Sequence, residues 1–76
     1  MLNPDNFHFH EYNKRELHLF YRETRVFIFK EKEILGEWVW TCKSCLSYVP
    51  SHKADNFEKA EKQAKAMVSE FLKRFE

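Results

Sequence analysis

The chain has few of the residues that punctuate, staple or charge a small domain. One glycine and two prolines in 76 residues make punctuation sparse and leave most turns to be made by other residue types, and the chain shows no repeat, low-complexity tract or linker. Two cysteines are too few for a secreted disulfide scaffold, which at this size carries about four to eight. An excess of one charge is also lacking: 13 Lys and Arg stand against 12 Asp and Glu, a net charge of +1. Binders of polyanions usually show a clear basic surplus, because counterion release drives their affinity, and bulk composition carries no such signal here. No apolar run approaches the ~20 residues that span a bilayer, and MLNPDNFHFHEY has neither the basic nor the apolar region of an export signal. The expectation is a cytoplasmic protein with reduced thiols and no membrane partner.

Aromatic residues are what the chain has in quantity: eight Phe, three Tyr and two Trp. Each buries roughly 150–250 Å², so a few of them can build a core even near the lower size limit for a single domain. With 43% hydrophobic and 33% charged residues the composition is globular, and residues 1–76 are expected to form one domain.

The clearest element lies at the C-terminal end. Phe57, Ala60, Ala64, Met67, Val68, Phe71, Leu72 and Phe75 recur at three- and four-residue spacing, the apolar stripe of an amphipathic helix. Asp55 with Glu58 resembles a capping box. Glu58 to Lys62, Glu61 to Lys65 and Glu70 to Arg74 are i,i+4 pairs in the favourable acid-first order. The spacing predicts a helix over 56–75. Before it, ELHLFYR, RVFIFKEK and EWVWTCK read as strands rich in β-branched and aromatic residues, with a turn near Gly36. FHFHEY either pairs with them through NKR or leaves residues 1–12 as an extended arm or edge strand. LSYVPSH is a connector with room for one short strand before Pro50. The predicted fold is α+β, a three- to four-stranded antiparallel meander followed by one long C-terminal helix on one sheet face (βββα).

One helix covers one sheet face, yet VFIF is apolar on both, with Val26 and Ile28 on one side and Phe27 and Phe29 on the other. A strand apolar on both sides is normally buried on both. The second side is roofed by the chain's own NFHFHEY and 45–52 segments, by a second copy in a homodimer, or by another macromolecule. On the last alternative the anchors are Tyr21, Arg22, Arg25, Phe27, Phe29, Trp38 and Trp40, the aromatic and Arg types that carry interface energy.

Cys42 and Cys45, with His52 and either His10 or His8, supply the ligand types of a zinc site. In a continuous strand, however, residues three apart point to opposite faces, and the intervening Lys-Ser is a poor tight turn. Cys42 and Cys45 therefore read as strand and loop residues, with zinc as an alternative and no cofactor as the primary expectation. CxxC redox chemistry lacks the helix N-terminus that lowers a thiol pKa. No Gly-rich phosphate loop, nucleophile elbow or paired-carboxylate motif is present, and the four histidines have no partner specified by spacing. The chain is not expected to be an enzyme.

The run EKAEKQAKAMVSEFL resembles the last helix of double-stranded-RNA-binding domains, where that helix follows a three-stranded meander. The likeness covers the helix alone; the family's opening helix and its Gly-containing lysine cluster are missing. It implies a nucleic-acid-binding alternative that uses Lys53 and Lys59, to which Arg22, Arg25 and Lys62 are added as nearby cations. The leading expectation is a small protein-binding module that docks by its sheet face or an edge strand. Inhibitors, adaptors and accessory factors of this kind are often encoded by phages and mobile elements.

Overall fold

A computed structural model describes residues 4–73. A 3₁₀ turn at Pro4–Asn6 leads into strands β1 (Phe7–Asn13), β2 (Glu16–Tyr21), β3 (Thr24–Ile34), β4 (Glu37–Ser44) and β5 (His52–Ala54), followed by helix α1 (Phe57–Lys73). The strands form one antiparallel sheet in the order β1-β2-β3-β4-β5. The α+β meander-then-helix architecture is thus the expected one, with five strands rather than three or four. FHFHEY is a paired edge strand and not a free arm. The short strand of the connector lies after Pro50, at His52–Ala54. The predicted helix residues 74 and 75 lie outside the described residues.

Local chemistry accounts for the boundaries. The β1–β2 turn is closed by the Asn13 side-chain oxygen, which accepts from the Arg15 backbone N–H at 2.8 Å, an Asx turn. The helix is capped by Asn56, whose Oδ1 accepts from the Lys59 N–H at 2.9 Å. This replaces the expected Asp55–Glu58 box: the cap sits one residue later, and the Asp55 carboxylate instead pairs with Lys59 Nζ at 3.2 Å.

Cross-strand partners project from the same face, so the register sorts the side chains. Leu17, Leu19, Phe27, Phe29, Trp40, Cys42 and Ala54 face the helix, and Leu19, Phe27 and Phe29 are fully buried. The helix meets them with Ala60, Ala64 and Val68, also fully buried. Two alanines at the contact let its backbone approach the large phenylalanines. Phe57 wedges between Phe9, Phe29 and Trp40, with ring centroids 5.0–5.6 Å away. A bulge in β3 between the pairs Leu19–Phe27 and Phe20–Arg25 turns Val26 onto this side as well, where it is 3% exposed and borders Leu46, Val68 and Leu72.

That bulge corrects the reading of VFIF as apolar on both sides. Val26 joins Phe27 and Phe29 in the core, and Ile28 alone faces outward. Tyr21, Phe27, Phe29, Trp38 and Trp40, expected as partner anchors, all lie on the helix side of the sheet. Phe27, Phe29 and Trp40 are core residues. Trp38 sits beyond the start of the helix, half exposed, with the Arg15 guanidinium 4.1 Å from its ring centroid.

The β3–β4 hairpin runs past the helix and ends in the two-residue loop Leu35-Gly36, with φ of 52° and 83°. Positive φ at both positions is the signature of a type I′ turn, which favours Asn-Gly or Gly-Gly. Leu35 there is completely exposed, strained and without packing to compensate. Leu35→Asn should relieve part of the ~1–2 kcal/mol left-handed penalty and raise the melting temperature by a few degrees, measured by thermal unfolding. A fall in melting temperature would mean that the leucine makes a stabilising contact.

Candidate functional site

The helix and the connector after β4 pack on the same side of the sheet: Leu46 borders Val26 and Val68, and Tyr48 stacks on Phe71 at 5.9 Å. No described element covers the opposite face. Its strand residues fall into cross-strand rows: His8, Phe20 and Arg25; His10, His18, Ile28 and Lys43; Glu16, Lys30, Thr41 and Lys53; Lys32 and Val39; Ile34 and Glu37.

The period-2 alternation of β3 carries most of the electrostatics. In Lys30-Glu31-Lys32-Glu33 both lysines point to the open face and both glutamates to the helix side. Arg25, Lys43 and Lys53 join those lysines, and all five are exposed. The strand carboxylates on this face are Glu37 and Glu16, which pairs with His18 at 2.8 Å and with Lys30 Nζ at 3.8 Å. The near-zero net charge therefore conceals a separation of charge across the sheet. Lys32, Lys43 and Lys53 surround a shallow concavity of about 350 Å³, which Thr41 and Ser51 also line.

At the β1–β2 side the same face is aromatic. His18 is 4% exposed and held at both ring nitrogens. Arg25 Nη1 donates toward Nδ1 at 3.4 Å, which leaves the proton on Nε2, and Nε2–H donates to Glu16 Oε2 at 2.8 Å. Tyr12 lies over the His18 ring with centroids 4.1 Å apart, and His10 meets Tyr12 edge-on at 4.9 Å. Tyr12 is the extra residue of a β1 bulge between Glu11 and Asn13, and it is 57% exposed. His8 stacks flat on Phe20 at 5.3 Å with an interplanar angle of 6°.

The predicted sites are redistributed by this geometry. Of the nucleic-acid set, Arg25 and Lys53 reach the open face, Arg22 lies in the β2–β3 turn, and Lys59 and Lys62 lie on the helix. The structure does not bring the zinc set together. Cys42 faces the helix opposite His52, Cys45 is an exposed residue beyond β4, and His10 points out from the far edge strand. Among the described residues no three His, Cys, Asp or Glu side chains converge on a common point. Lys30, Lys32, Lys43 and Tyr12 are not singled out by the sequence reading, and His8 enters it only as an alternative zinc ligand; the Lys-Glu alternation at 30–33 is the available signal. No helix among the described residues is long and apolar enough to cross a membrane.

Comparison with known proteins finds no matching family model, no matching curated protein and no matching solved structure.

Two titrations follow from these surroundings. The Glu16 carboxyl is held below its ordinary 4.5, chiefly by the His18 hydrogen bond and also by the Lys30 charge, with burial opposing. A depressed folded pKa adds stability that is complete above the unfolded value and disappears as pH falls through the folded one. The melting-temperature difference between the native chain and Glu16→Gln should therefore be present near neutrality and shrink as pH drops below 4.5; a difference that grows on acidification would contradict the assignment. Burial pushes the Cys42 thiol up to about 11. At pH 8 a thiol reagent should label only Cys45 in the folded protein and reach Cys42 on unfolding, as read by mass spectrometry.

Proposed function

We propose that this protein is a non-catalytic nucleic-acid-binding module that works through the open face of its sheet. The observation that carries the reading is the gathering of Arg25, Lys30, Lys32, Lys43 and Lys53 on one exposed surface, with Glu31 and Glu33 turned to the other. Phosphate contacts need solvent-exposed cations with little competition from carboxylates, a condition that Lys32, Lys43 and Lys53 meet better than Lys30, which pairs with Glu16 at 3.8 Å. The concavity at the β4–β5 edge, lined by Lys32, Thr41, Cys42, Lys43, Ser51, His52 and Lys53, brings three ammonium groups to one depression. An uncovered sheet is a known platform for both grooves and strands of nucleic acid.

Affinity for oligonucleotides should fall steeply with salt, with a log–log slope of roughly −0.7 to −0.9 per phosphate neutralised. The double variant Lys43→Glu, Lys53→Glu should abolish retention on immobilised nucleic acid at about 50 mM salt. Lys59→Glu with Lys62→Glu, on the helix, should leave it intact. Equal loss from both variants, or no retention of the native chain, rejects the open-face site.

Protein docking remains as a second reading, transferred from the sheet face to the hairpin tip. There Leu35 is fully exposed on strained backbone, and Ile34 and Trp38 beside it are 37% and 43% exposed. Strain kept at an unpacked position points to a role outside folding. A protein retained from host extract by the native chain but not by Leu35→Asn supports this reading; equal retention excludes the tip.

A further inference from the structure

The cations and the exposed aromatics share one face but occupy different halves of it. The row of His8, Phe20 and Arg25 passes from stacked rings on β1–β2 to a guanidinium on β3. The row of His10, His18, Ile28 and Lys43 passes from imidazoles to an ammonium on β4. Beside it, Tyr12 covers His18, and the next row ends in Lys53 on β5. Across each of the first two rows, ring surface is followed by positive charge.

A duplex uses only half of such a surface. It presents phosphates and groove edges and keeps the faces of its bases inside the stack, so exposed rings on the protein gain nothing from it. A single strand presents both phosphates and free base faces. Spacing favours the same ligand. Alternate residues of β1 stand ~7 Å apart, twice the ~3.4 Å separation along a stacked strand. Bases lying over His8 and His10 must therefore be splayed, and Tyr12, edge-on to His10 at 4.9 Å, offers its ring at a different tilt, which a single strand accommodates and a duplex allows only by melting.

We infer that the open face binds an extended single strand of DNA or RNA, with bases stacked on the β1–β2 rings and phosphates held by the cations of β3–β5. Tyr12 is the principal platform. Its ring rests on His18 at 4.1 Å and meets His10 edge-on at 4.9 Å, and with the residue 57% exposed ring surface is left for a base. His18 beneath is fixed by Glu16 and Arg25, so the platform is ordered before ligand arrives and little ordering entropy is lost on binding. Lys43, two strands from His18 in the same row, is ~10 Å away, within reach of the phosphate of a nucleotide stacked on Tyr12.

This inference rests on the nucleic-acid reading and is tested apart from it. Fluorescence anisotropy with labelled single strands of about 12 nucleotides, oligo(dT) and oligo(U), is compared with DNA and RNA duplexes of equal length. Single strands should bind at least about tenfold tighter than duplexes. One stacked base is worth ~1–3 kcal/mol, so Tyr12→Ala should weaken single-strand binding roughly 5- to 150-fold while leaving the salt slope unchanged. Tyr12→Phe should preserve affinity, and Lys43→Ala should lower the slope by about 0.7. Duplex binding equal to or tighter than single-strand binding overturns the stacking role but leaves the cationic face as a nucleic-acid site. A folded Tyr12→Ala protein that binds like the native chain overturns the stacking role in the same way. Failure of every oligonucleotide to bind overturns both.

Discussion

The molecule depends on the close approach of α1 to the middle of the sheet. Ala60 and Ala64 are small enough for the helix to settle onto Phe27, Phe29 and Leu19, and all five are fully buried. A chain this short has one core to bury, and a void in it costs both transfer energy and lost contacts. Phe57 closes the core where the helix begins, and Val26 and Val68 extend it toward the other end of β3. Once this contact forms, one side of every strand is inside and the other is out.

The outward side inherits whatever residues alternate with the core positions, and here they are unusually consistent. Each step from Lys30 to Glu33 changes face and changes sign together. Neighbouring cations of the open face, such as Lys30 and Lys32 at alternate positions of β3, stand ~7 Å apart, inside the Debye length of ~10 Å at 0.1 M salt, so their potentials add. A chain with net charge of +1 can therefore present a distinctly positive surface. Local field depends on where charges are placed, whereas net charge is only their sum.

Irregularities in the sheet are placed where they redirect side chains. The β3 bulge moves Val26 into the core, and the β1 bulge at Tyr12 accompanies the stacking of its ring on His18. The Glu16–His18–Arg25 chain of contacts satisfies a buried imidazole on an otherwise exposed face, where an unpaired ring nitrogen would be costly. Leu35 is the exception: its strained backbone has no packing partner, so the compact part of the fold supplies no reason for it.

The sequence alone determined the helix, the three strand segments that became β2, β3 and β4, and the alternation within them, because these follow from periodicities of 3.6 and 2 that are countable along the chain. The same alternation in EWVWTCK puts Trp38, Trp40 and Cys42 on a common face, and the register agrees. What it did not contain was the identity of the covered face. The Phe27–Phe29 side and the Ile28 side are each apolar enough in isolation, and only the bulge at Val26 and the landing of the helix separate core from surface. The candidate site was illegible for the same reason. His18, Arg25, Lys43 and Lys53 are far apart along the chain and become neighbours through strand register, which is set by pairing among five strands and by no local signal at any one of them.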